Sequence, residues 1–199
     1  MQSSVYLAAE DIPGLAIGRK LVEEAPPLSV YREENGHGYG TLRRKTPNYH
    51  QIGMHMPVLM LTDLDKHHCP SELIQKWLGT APSPGFLFRI CIREVEAWLL
   101  AHRSAMAAFL KIPETRIPVR PERLTDPKAE LIRLAQQAPR KIKEGLTPVG
   151  SATIGPKYNN LLEEYIQLNW SPSIAAAQAP SLARARMRLS ELAARVIES

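Results

Sequence analysis

The run Pro57-Val58-Leu59-Met60-Leu61-Thr62 is apolar without alternation and stops abruptly at Asp63-Leu64-Asp65. A strand with one wet face alternates apolar and polar residues, whereas a strand covered on both faces has no need to. The run therefore predicts a central strand of a sheet sandwiched between helices. Val5-Tyr6-Leu7-Ala8-Ala9, Leu28 to Arg32 and Phe86 to Ile92 share the β-leaning character. Between them lie helical signals: Leu15, Ile17, Leu21 and Val22, closing before Pro26-Pro27, and a helix from Pro70 to Leu78 that opens with proline, as helices prefer. A longer helix is expected over Glu94 to Leu110, with Val95, Trp98, Leu99, Ala105, Ala108 and Phe109 as its buried stripe. Residues 33–55 hold Gly36, Gly38 and Gly40 with little periodicity, and read as a mobile excursion with a short helix near Asn48 to Met54.

Strands alternating with helices imply parallel pairing through crossover helices, so the expected class is α/β, an open, mainly parallel sheet flanked by helices. Beyond Ile112 the strand signal ends. Pro113, Pro118, Pro121 and Pro127 punctuate a loop, and Pro127 to Gln137, Lys157 to Leu168 and Ser181 to Ile197 read as helices. The expected organisation is an α/β domain over 1–111 and a C-terminal helical subdomain over 112–199 packed on it. A chain of 199 residues with 44% hydrophobic content has material for one full core and a small appendage, not for two large domains.

Charge divides along the same boundary. Residues 1–100 carry 10 basic and 11 acidic side chains, net −1, and residues 101–199 carry 15 and 9, net +6. The excess that gives the chain its formal +5 thus belongs to the helical part, where a polyanionic partner would be met. Cys69 and Cys91 make no disulfide framework, no basic-plus-apolar leader is visible, and no charge-free apolar stretch approaches the ~20 residues of a membrane helix. A reduced, cytoplasmic protein with no membrane partner is expected.

In an open parallel sheet the ligand site lies beyond the carboxyl ends of the strands. Glu10 and Asp11 follow the first strand, Asp63 and Asp65 the third, and Glu94 and Glu96 the fourth. Carboxylate oxygens of this kind suit Mg2+ or Mn2+. The competing role is helix capping: Asp11, Glu94 and Glu96 all precede or open predicted helices, where negative charge is favoured anyway. For Asp63 and Asp65 capping is the poorer account, because the next helix begins only at Pro70. Glu94 and Glu96 reach one site only if Glu94 still belongs to the strand exit, since residues two apart on a helix do not share a face.

Other chemistry finds less support. His67-His68-Cys69 has no second Cys/His pair to complete a zinc site, no nucleophile elbow is present, and Gly36-His37-Gly38-Tyr39-Gly40 lacks the Gly-Lys-Ser/Thr ending of a nucleotide-binding loop. Basic residues fall into three groups: Arg43-Arg44-Lys45, then Arg140, Lys141 and Lys143, then Arg184, Arg186 and Arg188. With Leu182, Ala185, Leu189, Leu192 and Val196 as the buried stripe of the last helix, Arg184, Arg188 and Arg195 share an exposed side. Such groups are solvated faces by default, and nucleic-acid contacts if they rim the acidic site. With aromatics at 6%, backbone contact is the expected mode rather than base stacking.

A glutamate after the first strand and an Asp-x-Asp after a later buried strand resemble the acidic pattern of the TOPRIM fold, shared by topoisomerases, primases and OLD-type nucleases. Arg93-Glu94-Val95-Glu96-Ala97-Trp98-Leu99-Leu100-Ala101 is similar to the Glu-x-Glu-Ala-(Trp/Leu)-Leu-Leu motif of an uncharacterised bacterial TOPRIM-like family, regarded as acting beside an ATPase in anti-phage defence. Leu61 to Asp65 and Gly155-Pro156-Lys157-Tyr158-Asn159 also resemble stretches of these proteins. The chain departs from the fold's usual pattern at Asp11, where glycine normally follows the first glutamate.

The resemblance implies a metal-dependent phosphodiesterase or nuclease. Glu10 would act as metal-edge acid or general base, Asp63, Asp65, Glu94 and Glu96 would hold Mg2+ or Mn2+, and Lys157, Lys128 or Arg93 would supply a cation to the transition state. Arg43, Arg44, Lys45, Arg140, Lys141, Arg184 and Arg188 would contact nucleic acid, and an ATPase is the implied protein partner. The alternative is a non-catalytic TOPRIM-like subunit that binds an ATPase or nucleic acid and whose acids are caps. Oligomeric state is left open, a homo-oligomer included.

Overall fold

A computed structural model describes residues 3–197, with the side chain of Ile197 outside the description. Four strands, β1 (Ser3–Ala9), β2 (Leu28–Asn35), β3 (Val58–Asp63) and β4 (Phe86–Cys91), form one sheet in the order β2-β1-β3-β4, with every pairing parallel. The fold is therefore α/β, an open parallel sheet with helices on both faces. The chain leaves β1 for β2 on one side and returns to β3 on the other, so the order reverses between β1 and β3. That reversal is the crevice where open α/β sheets place ligands.

The unbroken apolar runs are explained by what each face meets. Val5, Leu7 and Ala9 of β1, with Leu59 and Leu61 of β3, turn to one face, and Tyr6, Ala8, Val58 and Met60 turn to the other. The first face is covered by α1 (Ile12–Glu23) and by the later helices, the second by α2 (Tyr39–Ile52) and α3 (Pro70–Leu78). Helix α1 sits so close to β1 that a Cβ on Gly18 would stand 2.4 Å from Cδ1 of Leu7.

Two predicted segments are corrected. Residues 33–55 are not a mobile excursion: β2 runs on to Asn35, and the glycine-rich stretch opens the fourteen-residue helix α2, with Gly38 at its N-cap at φ 100°. Only Leu42, Thr46 and Tyr49 of that helix are buried, a stripe too narrow and too polar to register as apolar periodicity. The helix expected over Glu94 to Leu110 is two, α4 (Val95–Ala101) and α5 (Arg103–Leu110), which break at His102 (φ −86°, ψ 72°), whose Nδ1 accepts from the Ser171 amide at 3.1 Å.

Beyond two short 3-10 turns at Glu114–Arg116 and Pro121–Arg123 the chain is helical: α6 (Pro127–Ala135), α7 (Arg140–Leu146), α8 (Tyr158–Leu168), α9 (Pro172–Ala175) and α10 (Pro180–Ile197). Leu131, Leu134, Leu162, Tyr165, Leu182 and Leu189 join Trp98, Leu99 and the β1 residues in one continuous apolar cluster. Helix α4 is its centre, buried at every position.

Candidate functional site

Because all four strands are parallel, their carboxyl ends meet at one edge of the sheet, and the predicted acids are gathered there. They divide into two groups. The outer group is Glu10 and Asp65. Glu10 Oε2 accepts from Thr62 Oγ1 at 3.0 Å. Burial pushes its carboxyl above the usual range against that bond, and the charges of Asp65 and Asp11 push the same way. Asp65 is held by a reciprocal lock between the β3 and β4 exits: its amide donates to the Arg93 carbonyl at 2.8 Å, and Arg93 Nη1 donates to the Asp65 and His67 carbonyls at 2.9 and 3.2 Å. Both lock residues adopt the left-handed backbone, Asp65 at φ 50° and Arg93 at φ 64°. A non-glycine residue there is uncommon, and aspartate tolerates it better than most.

The inner group is Asp11, Asp63, Glu94 and Glu96, assembled around Lys128 at the start of α6. Lys128 Nζ stands 3.6 Å from Glu96 Oε1 and 3.9 Å from Glu94 Oε1, and the Lys128 amide donates to Glu94 Oε2 at 2.8 Å. Glu94 keeps the extended backbone of the strand exit (φ −147°, ψ 160°), which is how two residues only two apart both face one ammonium. Glu96 is fully buried; Tyr158 donates to its Oε1 at 2.8 Å, and its Oε2 has no hydrogen-bond partner. Burial, with the Asp11 and Glu94 charges, pushes the Glu96 carboxyl up to about 7 although Lys128 opposes the shift. Asp63 is raised well above the carboxylate range, chiefly by burial and then by Glu96, Asp11 and Glu10. Burial alone would lower the Lys128 ammonium; the surrounding carboxylates outweigh it and hold it above its ordinary value.

Three of these acids also cap helices, Glu94 through the Lys128 amide of α6. Asp11 Oδ1 accepts from the Gly14 amide of α1 at 2.8 Å, as its place before that helix predicts. Asp63 Oδ1 accepts from the Val95 amide at 2.9 Å, so it caps α4 from the neighbouring strand. That role has no signature in the sequence, because the capped helix begins 32 residues away from the cap.

The predicted basic residues are spread more widely. Lys157 lies outside the acidic group, in an open cleft of about 530 Å3 with Arg140, Lys141, Glu144, Gly145 and Pro156. Its neighbour Tyr158 is the residue that reaches the acids. Arg140 is paired with Glu144 at 2.7 Å. Arg43 and Arg44 are exposed on α2, whereas Lys45 is paired with Glu34. Arg184 and Arg188 are exposed on α10. Of the cations considered from the sequence, Lys128 is the one ion-paired with the acids, placed there by the tertiary docking of α6 on α4, whereas Arg93 donates to the Asp65 and His67 carbonyls.

Among the described residues no group of three or more His, Cys, Asp or Glu side chains is arranged to hold a metal ion unaided. Mg2+ rarely uses such a cage; it is usually held by one or two carboxylates, with water and substrate phosphates completing the octahedron. Glu10 and Asp65 fit that mode: two carboxylates at the crevice, the charge of Asp65 adding to the cost of ionising Glu10. Compared with protein-family models, curated proteins and solved structures, the chain matches none.

Proposed function

We propose that the chain is a metal-dependent phosphodiester hydrolase acting on nucleic acid, a TOPRIM-like nuclease, with Glu10 and Asp65 as the outer ligands of Mg2+ or Mn2+. The observation that carries the reading is the position of this carboxylate pair, at the switch point between β1 and β3 and outside the group that Lys128 neutralises. When bound, the ion would polarise a phosphoryl oxygen and acidify a water. Thr62 orients Glu10, whose carboxyl burial holds above its ordinary value, and Glu10 stands where a carboxylate would take the water's proton. Asp63, its charge relieved by Lys128, fixes the start of α4 and thereby Glu94 and Glu96. Lys128 keeps positive charge behind the outer pair, and such a charge would favour the negative charge that accumulates during phosphoryl transfer. The resemblance of Arg93 to Ala101 to the defence-associated family adds an ATPase as the expected partner.

The test is calorimetric titration with Mn2+ and Mg2+ together with cleavage of a labelled duplex. Glu10→Gln and Asp65→Asn should each remove ion binding and cleavage while circular dichroism stays unchanged. Unaltered cleavage in both variants overturns the reading.

A second reading is favoured by one observation, the ion pairs of Lys128 with Glu94 and Glu96. An acidic group that carries its own cation also suits a non-catalytic subunit that docks on an ATPase or nucleic acid. Under that reading no ion binds, and Asp65→Asn leaves partner binding intact.

A further inference from the structure

Helix α10 runs antiparallel along β4, the edge strand of the sheet. It is pinned at both ends: Ser181 Oγ accepts from the Ile92 amide at 3.4 Å just beyond the strand, and Arg195 Nη2 donates to the Pro84 carbonyl at 3.1 Å just before it. Leu182, Ala185, Leu189 and Leu192 make the buried stripe of the helix. Midway along this seam Arg89 of β4 turns to the same face as Leu87 and Cys91, towards α10, close enough to feel the charges of Arg184 and Arg188.

Arg89 is anomalous. Its Nε is sealed from solvent and has no hydrogen-bond partner. Among the described residues no carboxylate stands within ion-pair distance of Arg89 or Arg184, and Arg188 reaches only Glu191 on its own helix, at 2.8 Å. Burial, Arg188 and Arg184 all depress the Arg89 guanidinium below its ordinary value. A half-buried guanidinium is normally matched by a carboxylate or a carbonyl. Here the neighbours have the same sign, in a seam held rigid at both ends.

We propose that Arg89, Arg184 and Arg188 form a binding site for phosphate groups, with the phosphodiester backbone of a nucleic acid as the source the geometry favours. Guanidinium forks match phosphate oxygens in pairs. Three of them carry more charge than one carboxylate can offset. Arg184 and Arg188 stand one helical turn apart on an exposed ridge that Arg195 continues, a row suited to a linear polyanion rather than to a single enclosed anion. The row descends from the carboxyl edge that bears the acidic site. The inference extends the reading above only at the polyanionic partner and rests on it only there.

The test uses the full chain in EDTA, so that metal chemistry plays no part. Two measurements are made: the thermal midpoint with and without inorganic phosphate at matched ionic strength, and fluorescence anisotropy of a labelled DNA duplex across a salt series. The variants are Arg89→Met, which keeps the apolar stem, and the surface pair Arg184→Gln/Arg188→Gln, which remains informative if Arg89→Met does not fold. The wild type should bind the duplex, and the surface pair should lower the slope of log affinity against log salt by about 1.8, the release expected for two phosphate contacts. A phosphate-induced rise of the midpoint that the variants lose indicates that the site also takes the free anion. The lowered slope without such a rise indicates the backbone alone. Unchanged slope together with unchanged phosphate response overturns the proposal. Loss of cleavage in the Glu10 and Asp65 variants, measured separately with metal, leaves these outcomes untouched, so failure of either idea is seen on its own.

Discussion

Lys128 Nζ stands 3.6 Å from Oε1 of Glu96, a carboxylate with no exposed surface. Removing one partner of such a pair leaves the other charge buried and uncompensated. Lys128→Met should cost roughly 3 kcal/mol at pH 8, read from urea denaturation. At pH 5.5 the cost should shrink, because Glu96 then takes up a proton instead of standing as an unpaired charge. An equal loss at both pH values would mean that Glu96 is not the group Lys128 serves.

Glu96 itself gives the protein a pH dependence of definite sign. Its folded-state value of about 7 lies above the ordinary 4.5, so the folded chain binds more protons than the unfolded chain between those limits. Its contribution to stability is fully present below the lower value and is lost as pH rises through the higher one. Asp63, raised in the same direction, adds to the trend. Stability measured from pH 5 to pH 8 should therefore fall in the wild type and fall less in Glu96→Gln. A wild type whose stability climbs over that range would contradict the assignment.

Asp63 should separate into two roles by substitution. Asp63→Ala removes the acceptor of the Val95 amide and should cost about 1–2 kcal/mol through loss of the cap. Asp63→Asn keeps an acceptor without the buried charge and should be at least as stable as the wild type at pH 8. The asparagine variant is therefore the informative one for activity, since the alanine variant confounds chemistry with the anchoring of α4.

The acids at the strand ends and the layered parallel sheet were legible because both arise locally: a strand covered on two faces is apolar throughout, and the residues that leave it are next in sequence. Helix α3 matched its reading at Pro70 and Leu78 because a proline starts it and Gly79, at φ 69°, ends it. What was hidden depends on distant chain. Lys128 enters the acidic group only because α6 docks on α4, and Asp63 meets Val95 only because β3 and β4 are neighbours. Helix α2 was legible only at its end, near Asn48, because Pro47 lies inside it and glycines open it, both contrary to helix propensity, so packing of Leu42 and Tyr49 carries the rest.

Asp65 tests backbone strain apart from charge. At φ 50° it sits where asparagine and aspartate are tolerated and β-branched residues are not. Asp65→Asn should unfold with the wild-type midpoint, whereas Asp65→Val should lose about 1–2 kcal/mol. Equal stability of the two variants would mean that the reciprocal bonds with Arg93 do not hold this backbone.

The apolar cluster that joins the sheet to the C-terminal helices is reinforced by hydrogen bonds that converge on α4. Trp170 Nε1 donates to the Trp98 carbonyl at 3.0 Å, and Trp98 Nε1 donates to Ser181 Oγ at 2.7 Å. The Tyr165 hydroxyl reaches the Leu99 carbonyl at 3.3 Å and the Tyr158 hydroxyl reaches Glu96 at 2.8 Å. Every donor or acceptor on the far side belongs to residues beyond 112, so a chain cut at 111 would expose Trp98, Leu99 and Glu96 together. Calorimetry of the full chain should give one transition with equal calorimetric and van't Hoff enthalpies, and residues 1–111 alone should show no cooperative unfolding. Ser181→Ala, which deprives the buried Trp98 indole of its acceptor and leaves Glu122 only the Ser181 amide as donor, should cost about 1–3 kcal/mol and lower the single midpoint without splitting it. Two resolved transitions, with only the second moved by Ser181→Ala, would instead establish the helical part as an independently folding unit.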